Sequence, residues 1–235
     1  MKSPGFLLLS CCFFLTVSAL SAQVLVHPNQ AMKSPEPLTL DRIETGKGKT
    51  TLFFSLVNQI KDGYFCADKN TFLIYPDGTR SVLLRAEGIP VCPGMHRFKE
   101  PGQKLSFSLV FPAIRENTPW IDMVEECSSG CMFLYGITLD QDLNKQLDEL
   151  FGKAEKATPE ATIQLFKSMI DEVDSKNLGI EGLLYINIIN ASLEAGDKAG
   201  ASTWYRRLMV SGAPRASYYI KFLNDKGVRF QEKQK

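Results

Sequence analysis

Pro119–Asp140, PWIDMVEECSSGCMFLYGITLD, holds a tight Cys127-Ser-Ser-Gly-Cys131 loop between two apolar runs of strand character. Before this stretch the sequence alternates with period two. After it, apolar residues recur at about 3.6. The stretch therefore closes a β region and launches a helical one. The expected architecture is α+β, an N-terminal antiparallel β-sandwich followed by an all-α domain.

Working back from Pro119, Leu105, Phe107, Leu109 and Phe111 alternate with Lys104, Ser106 and Ser108, the pattern of a half-buried strand. Thr71–Tyr75 and Ser81–Ala86 flank Pro76-Asp77-Gly78-Thr79, where proline presets the turn and glycine accepts positive φ. Leu52, Phe54 and Leu56 share a face, and Leu38 and Leu40 open the series. Seven or eight short strands over 37–139 read as a sandwich of immunoglobulin-like type, without the Cys…Trp…Cys spacing or tyrosine corner of antibody domains. Residues 23–36, with Pro28 and Pro35 and no clear period, read as a flexible lead with a short strand at Val24–Val26.

Working forward, Leu143, Leu147, Leu150, Phe151 and Ala154 lie on one helical face. Thr158-Pro159-Glu160 reads as cap, first-turn proline and first-turn acid. Ile163, Phe166, Met169, Ile170 and Val173 form the next stripe. A third helix runs from Ile180 to Ala195, a fourth from Lys198 to Val210, and Pro214 opens a fifth. The helical domain spans 140–226, and 227–235 reads as a polar tail.

Leu184, Tyr185 and Ile188, the Gly196-Asp197 turn, then Ala201, Tyr205, Leu208 and Pro214 resemble one tetratricopeptide repeat. Ile189 and Ser192 depart from it, standing where the family prefers a small residue and an aromatic. Stacked repeats need three or more units, so this segment must lean on the sandwich or on a partner. The order PLTLDRIE, TTLFFSL, LLRAEGIP, FSLVFPAI and IDMVEECSSGCMFLYGI resembles a β-sandwich module of exported Bacteroidota proteins. That resemblance implies a fold and a compartment, and carries no catalytic residue.

Compartment is also read directly. Lys2, the apolar run Phe6–Leu20 and the small residues Ser21-Ala22 have the order of a secretory signal, so residues 1–22 are expected to be removed. Of 27 basic and 26 acidic residues, removal takes away Lys2, leaving 26 against 26. A neutral chain argues against nucleic acid or an anionic membrane surface as partner. No later run is long and apolar enough to span a bilayer. Four cysteines remain, Cys66, Cys92, Cys127 and Cys131, which in an exported chain read as two disulfides. Three pairings are open; Cys66–Cys92 with Cys127–Cys131 is favoured.

The chemistry-bearing candidates are sparse. Cys127 and Cys131 could serve thiol–disulfide exchange, but Glu125 and Glu126 beside them raise a thiol pKa. A metal reading would use these two with His96, or all four cysteines, yet Cys66 and Cys92 are isolated. His27 and His96 read as surface residues, and Gly46-Lys47-Gly48-Lys49-Thr50 as an interstrand turn, since Ile43 stands where a phosphate loop needs its first glycine. No cofactor and no metal is expected.

What remains is recognition. Trp204, Arg206 and Arg207 are residue types enriched where proteins bind. Asn187, Asn190 and Glu194 offer polar groups on the third helix, the expected concave face. Charge is polarised: ten acids and five bases over 140–181, four and nine over 182–235. The leading expectation is a non-enzymatic exported binding or assembly protein with a protein partner. The alternative is redox or metal-dependent activity at Cys127 and Cys131.

Overall fold

The computed structural model describes residues 23–127, 130–173 and 176–230. The expected signal segment, Ser128 and Ser129 of the cysteine loop, and tail residues 231–235 lie outside them. The strands are β1 (Gln23–Val26), β2 (Met32–Ser34), β3 (Leu38–Gly46), β4 (Lys49–Val57), β5 (Tyr64–Phe65), β6 (Thr71–Ile74), β7 (Arg80–Val82), β8 (Arg85–Glu87), β9 (His96–Arg97), β10 (Lys104–Pro112), β11 (Trp120–Glu125) and β12 (Phe133–Thr138). The helices are α1 (Gln141–Ala154), α2 (Pro159–Val173), α3 (Glu181–Glu194), α4 (Lys198–Val210) and α5 (Ala216–Asp225).

Two five-stranded antiparallel sheets, in the orders β1-β3-β4-β10-β8 and β2-β12-β11-β6-β7, pack over one core. The alternation in β10 is realised in register, Phe107 opposite Phe54 and Leu109 opposite Leu52, with the two phenylalanine rings stacked at 5.1 Å. Gly46-Lys47-Gly48 turns β3 into β4, and Asp77 closes the β6–β7 hairpin by accepting from the Thr79 amide at 3.0 Å. Ser81–Ala86 is not one strand. The unbroken apolar run Val82-Leu83-Leu84 lets the chain leave β6 at Val82 and pair with β10 from Arg85, so it crosses between sheets.

The lead is not loose. β1 is an edge of the first sheet, pairing with β3, and β2 is an edge of the second, pairing with β12. Between them Asn29 grips the start of α1. Its amide donates to Asn144 Oδ1 at 2.6 Å and its side chain to Asp148 Oδ1 at 2.9 Å. Ala31 and Met32 then pack into the helical core. The segment binds both sheets and the helices together, which its own lack of period concealed.

The helices follow their caps. Asp140 accepts from the amides of Asp142 and Leu143, Thr158 from Ala161, and Asp197 from Gly200. α5 starts at Ala216 rather than Pro214, because Arg215 takes a left-handed φ of 61°. The tail's first residues are anchored: Val228 and Phe230 pack on the helical core, with Phe230 5.4 Å from the Tyr205 ring.

At the seam between the halves, Arg215 reaches back to Asp122 on β11, Nη1 to Oδ2 at 2.5 Å, with side chains only 10% and 7% exposed. Its Nη2 donates to Gly179 O at 3.1 Å, and its guanidinium lies over Trp120 and Tyr135 at 4.7 and 5.3 Å. Asp122 Oδ1 accepts the Gly136 amide at 2.8 Å, and Trp120 donates to Asn177 O at 2.7 Å. Gly179, at φ 81°, lies so close that a Cβ there would sit 2.7 Å from the Trp120 ring. Burial raises the Asp122 pKa against the opposing pull of Arg215. Burial likewise pushes Tyr135 and Tyr219 up to about 12.

Candidate functional site

α3 does not offer a concave face. It packs against α2, α4 and α5, and nine of its residues are buried, including Tyr185, Ile188, Ile189 and Ser192. A helix apolar nearly all round belongs inside a fold. Asn190 and Glu194 are exposed and Asn187 half-buried, its side chain donating to Leu183 O of its own helix at 2.8 Å. At 100° per residue these three lie about 140–200° round the helix from Tyr185.

Trp204 and Arg207, one turn apart on α4, are on the Tyr185 side. The Trp204 ring is 6.0 Å from Tyr185, and the Arg207 guanidinium lies over Trp204 at 4.9 Å and Tyr185 at 5.9 Å. Asp171 of α2 meets Arg207 at 3.8 Å. One patch thus spans α2, α3 and α4, with Trp204 half-buried and the Arg207 side chain 40% exposed. Arg206 is exposed on another face of α4. The structure brings together Trp204 and Arg207 among the six candidates, and separates them from Arg206, Asn187, Asn190 and Glu194.

The cysteines pair as Cys66–Cys92, S–S 2.02 Å, and Cys127–Cys131, S–S 1.98 Å. Both bridges sit at the same end of the sandwich, away from the turn into α1. There β5 and β9 form a two-residue ribbon, Tyr64 opposite Arg97 and Phe65 opposite His96. Asn58 ties the loops by donating to Ile60 O at 2.6 Å and Glu100 O at 2.8 Å. Glu125, 7% exposed, accepts from Asp68 N at 3.0 Å and Met132 N at 2.7 Å, joining the two stapled loops. Burial raises its pKa, against those two amides. Glu126 pairs with Arg80.

This stapled end was not visible in the sequence as a surface. It turns Ile60, Tyr64, Val91 and Met95 to solvent, 65%, 62%, 42% and 45% exposed. Only strand register shows that these four, spread over two loops, share one end. His96 sits edge-on to Phe98 at 4.7 Å, and His27 occupies the turn after β1. Among the described residues no three His, Cys, Asp or Glu side chains converge as metal ligands. A cleft of about 980 Å³ lies at the opposite end, lined by Gln23, Arg115, Glu116, Asn117 and the α1 cap Asp140 among others. The geometry supplies aromatic, guanidinium and apolar contacts for non-covalent recognition. Comparison with protein-family models, with curated proteins and with solved structures returns no match.

Proposed function

We propose that the chain is a non-enzymatic exported binding and assembly module. An immunoglobulin-like sandwich serves as a rigid platform, and a tetratricopeptide-like helical segment holds a protein partner. The observation that carries this reading is the Trp204–Arg207 patch. An indole and a guanidinium are laid over Tyr185 across three helices, part-exposed and fixed in place. Such pre-organised Trp and Arg side chains dominate binding energy where proteins meet, because little entropy is lost on docking. The seam at Arg215 and Asp122 holds the patch rigidly to the platform. Two disulfides support an exported setting.

The test places a photoreactive amino acid at Thr203, exposed on α4 one turn before Arg207. Cross-linking is run in the secreting cell. A discrete protein adduct is expected, lost in Trp204→Ala and in Arg207→Ala while the melting temperature of each variant stays within a few degrees of wild type. An adduct that survives both substitutions refutes the assignment.

A further inference from the structure

The neutral total charge conceals an uneven surface. Across the described residues seven ion pairs are formed, and they hold Arg42, Arg80, Arg85, Arg115, Arg207, Arg215 and Lys221. At the stapled end Lys61, Lys69, Arg97, Lys99 and Lys104 form none. The carboxylates of the same loops are Asp62, Asp68 and Glu100, and Asp68 is engaged by the Asn70 amide at 2.7 Å. Five cations against the three acids of these two loops surround Ile60, Tyr64, Val91 and Met95; of the other carboxylates at this end, Glu125 is buried and Glu126 is paired with Arg80.

We propose that this end is a peripheral membrane-binding surface. It seats Ile60, Tyr64, Val91 and Met95 at the headgroup boundary of an anionic bilayer, with the lysines against lipid phosphates. Two observations select a bilayer over a protein, and a third lowers the cost of docking. The protruding side chains are aliphatic, thioether and phenol, which suit the interface, where tyrosine places its ring among acyl carbons and its hydroxyl in water. Four of the five cations are lysine, which protein interfaces disfavour and anionic lipid attracts. The loops are stapled by Cys66–Cys92, the β5–β9 ribbon and Asn58, so insertion orders little that is not already ordered.

The test floats the purified oxidised protein with vesicles of phosphatidylcholine alone and of phosphatidylcholine mixed equally with phosphatidylglycerol. Binding is expected to the anionic vesicles at low salt, and to fall as salt rises. Lys61→Glu/Lys99→Glu lowers the partition coefficient by roughly 30-fold or more, from about 1 kcal/mol for each basic residue at the surface. Ile60→Ser/Met95→Ser lowers it too, and Trp204→Ala leaves it unchanged. No flotation with the anionic vesicles overturns the proposal. So does flotation indifferent to both double variants, or a photoreactive group at Tyr64 that joins a protein while vesicles are ignored. The protein-binding patch stands or falls separately, on the Thr203 cross-link.

Discussion

Replacing Arg215 by methionine removes a charge and keeps most of the stem. The carboxylate it leaves, Asp122, is 7% exposed and retains the Gly136 amide at 2.8 Å as its remaining donor. A buried charge stripped of its partner costs about 3–5 kcal/mol. The guanidinium's contacts to Trp120, Tyr135 and the Gly179 carbonyl are lost with it. Asp122→Asn/Arg215→Met removes the orphaned charge and should recover all but about 1–2 kcal/mol, since neutral substitution of a buried pair is often tolerated. The pH dependence follows from the raised folded-state pKa of Asp122, set by burial. A group that holds its proton more tightly when folded contributes stability at low pH, and that contribution is lost as pH rises through the folded value. Without Arg215 to oppose burial the pKa rises further, so the Arg215→Met deficit is largest at neutral pH and shrinks on acidification. Urea unfolding at neutral and mildly acidic pH, followed by tryptophan fluorescence, reads the wild type and both variants. A cost below about 1 kcal/mol for the single variant, or equal cost for single and double, refutes the assignment of the seam to this pair.

Disulfide loss should be unequal: the bridges span separations of 26 and 4 residues, so chain entropy gives about 3.5 kcal/mol for Cys66–Cys92 and about 2 kcal/mol for Cys127–Cys131. Paired Cys→Ser variants in urea check this, and alkylation before and after reduction, read by intact mass, should add nothing and then four groups. Gly152→Ala in α1 has nothing within 4 Å of the new Cβ and should stabilise by up to about 1 kcal/mol. Gly182→Ala in α3 brings the same propensity gain, yet its Cβ would lie 2.1 Å from the ring of Tyr219, which is 1% exposed, so overpacking of about 1–3 kcal/mol prevails and the melting temperature falls. Glu125→Gln replaces one of two acceptor oxygens by a donor, orphaning the amide of Asp68 or Met132. A loss of about 1–3 kcal/mol is expected in thermal unfolding.

The helices were legible almost to the residue because their signals are local: Thr158-Pro159 opens α2, the Gly196-Asp197 turn parts α3 from α4, and apolar stripes run along α1 and α2. The β10 alternation and the Asp77 turn were legible for the same reason. What sequence reading missed depends on residues far apart. Asn29 grips Asn144 across 115 positions and Arg215 finds Asp122 across 93, and no periodicity encodes either contact. The stapled end needed strand register to bring Ile60 and Met95 together. α3 did carry a warning: Leu184, Ile186, Ile188 and Ile189 spread round the helix rather than along a stripe, the mark of a central helix. Asn190 and Glu194 are left toward solvent and Asn187 is half-buried, and they line no groove with Trp204.

The double-edged use of residues 23–34 also governs how the chain can mature as it is made. β1 can pair with β3 early, whereas β2 must wait for β12, and Asn29 for Asp148 on α1. Until β12 is free to fold, strand edges on the second sheet stay open and available to other chains. High contact order of this kind slows folding, because loop-closure entropy is spent before native contacts reward it. Truncations ending before β12 should therefore aggregate, because β2 and β11 lack their partner strand, and chaperone dependence should end once α1 has emerged.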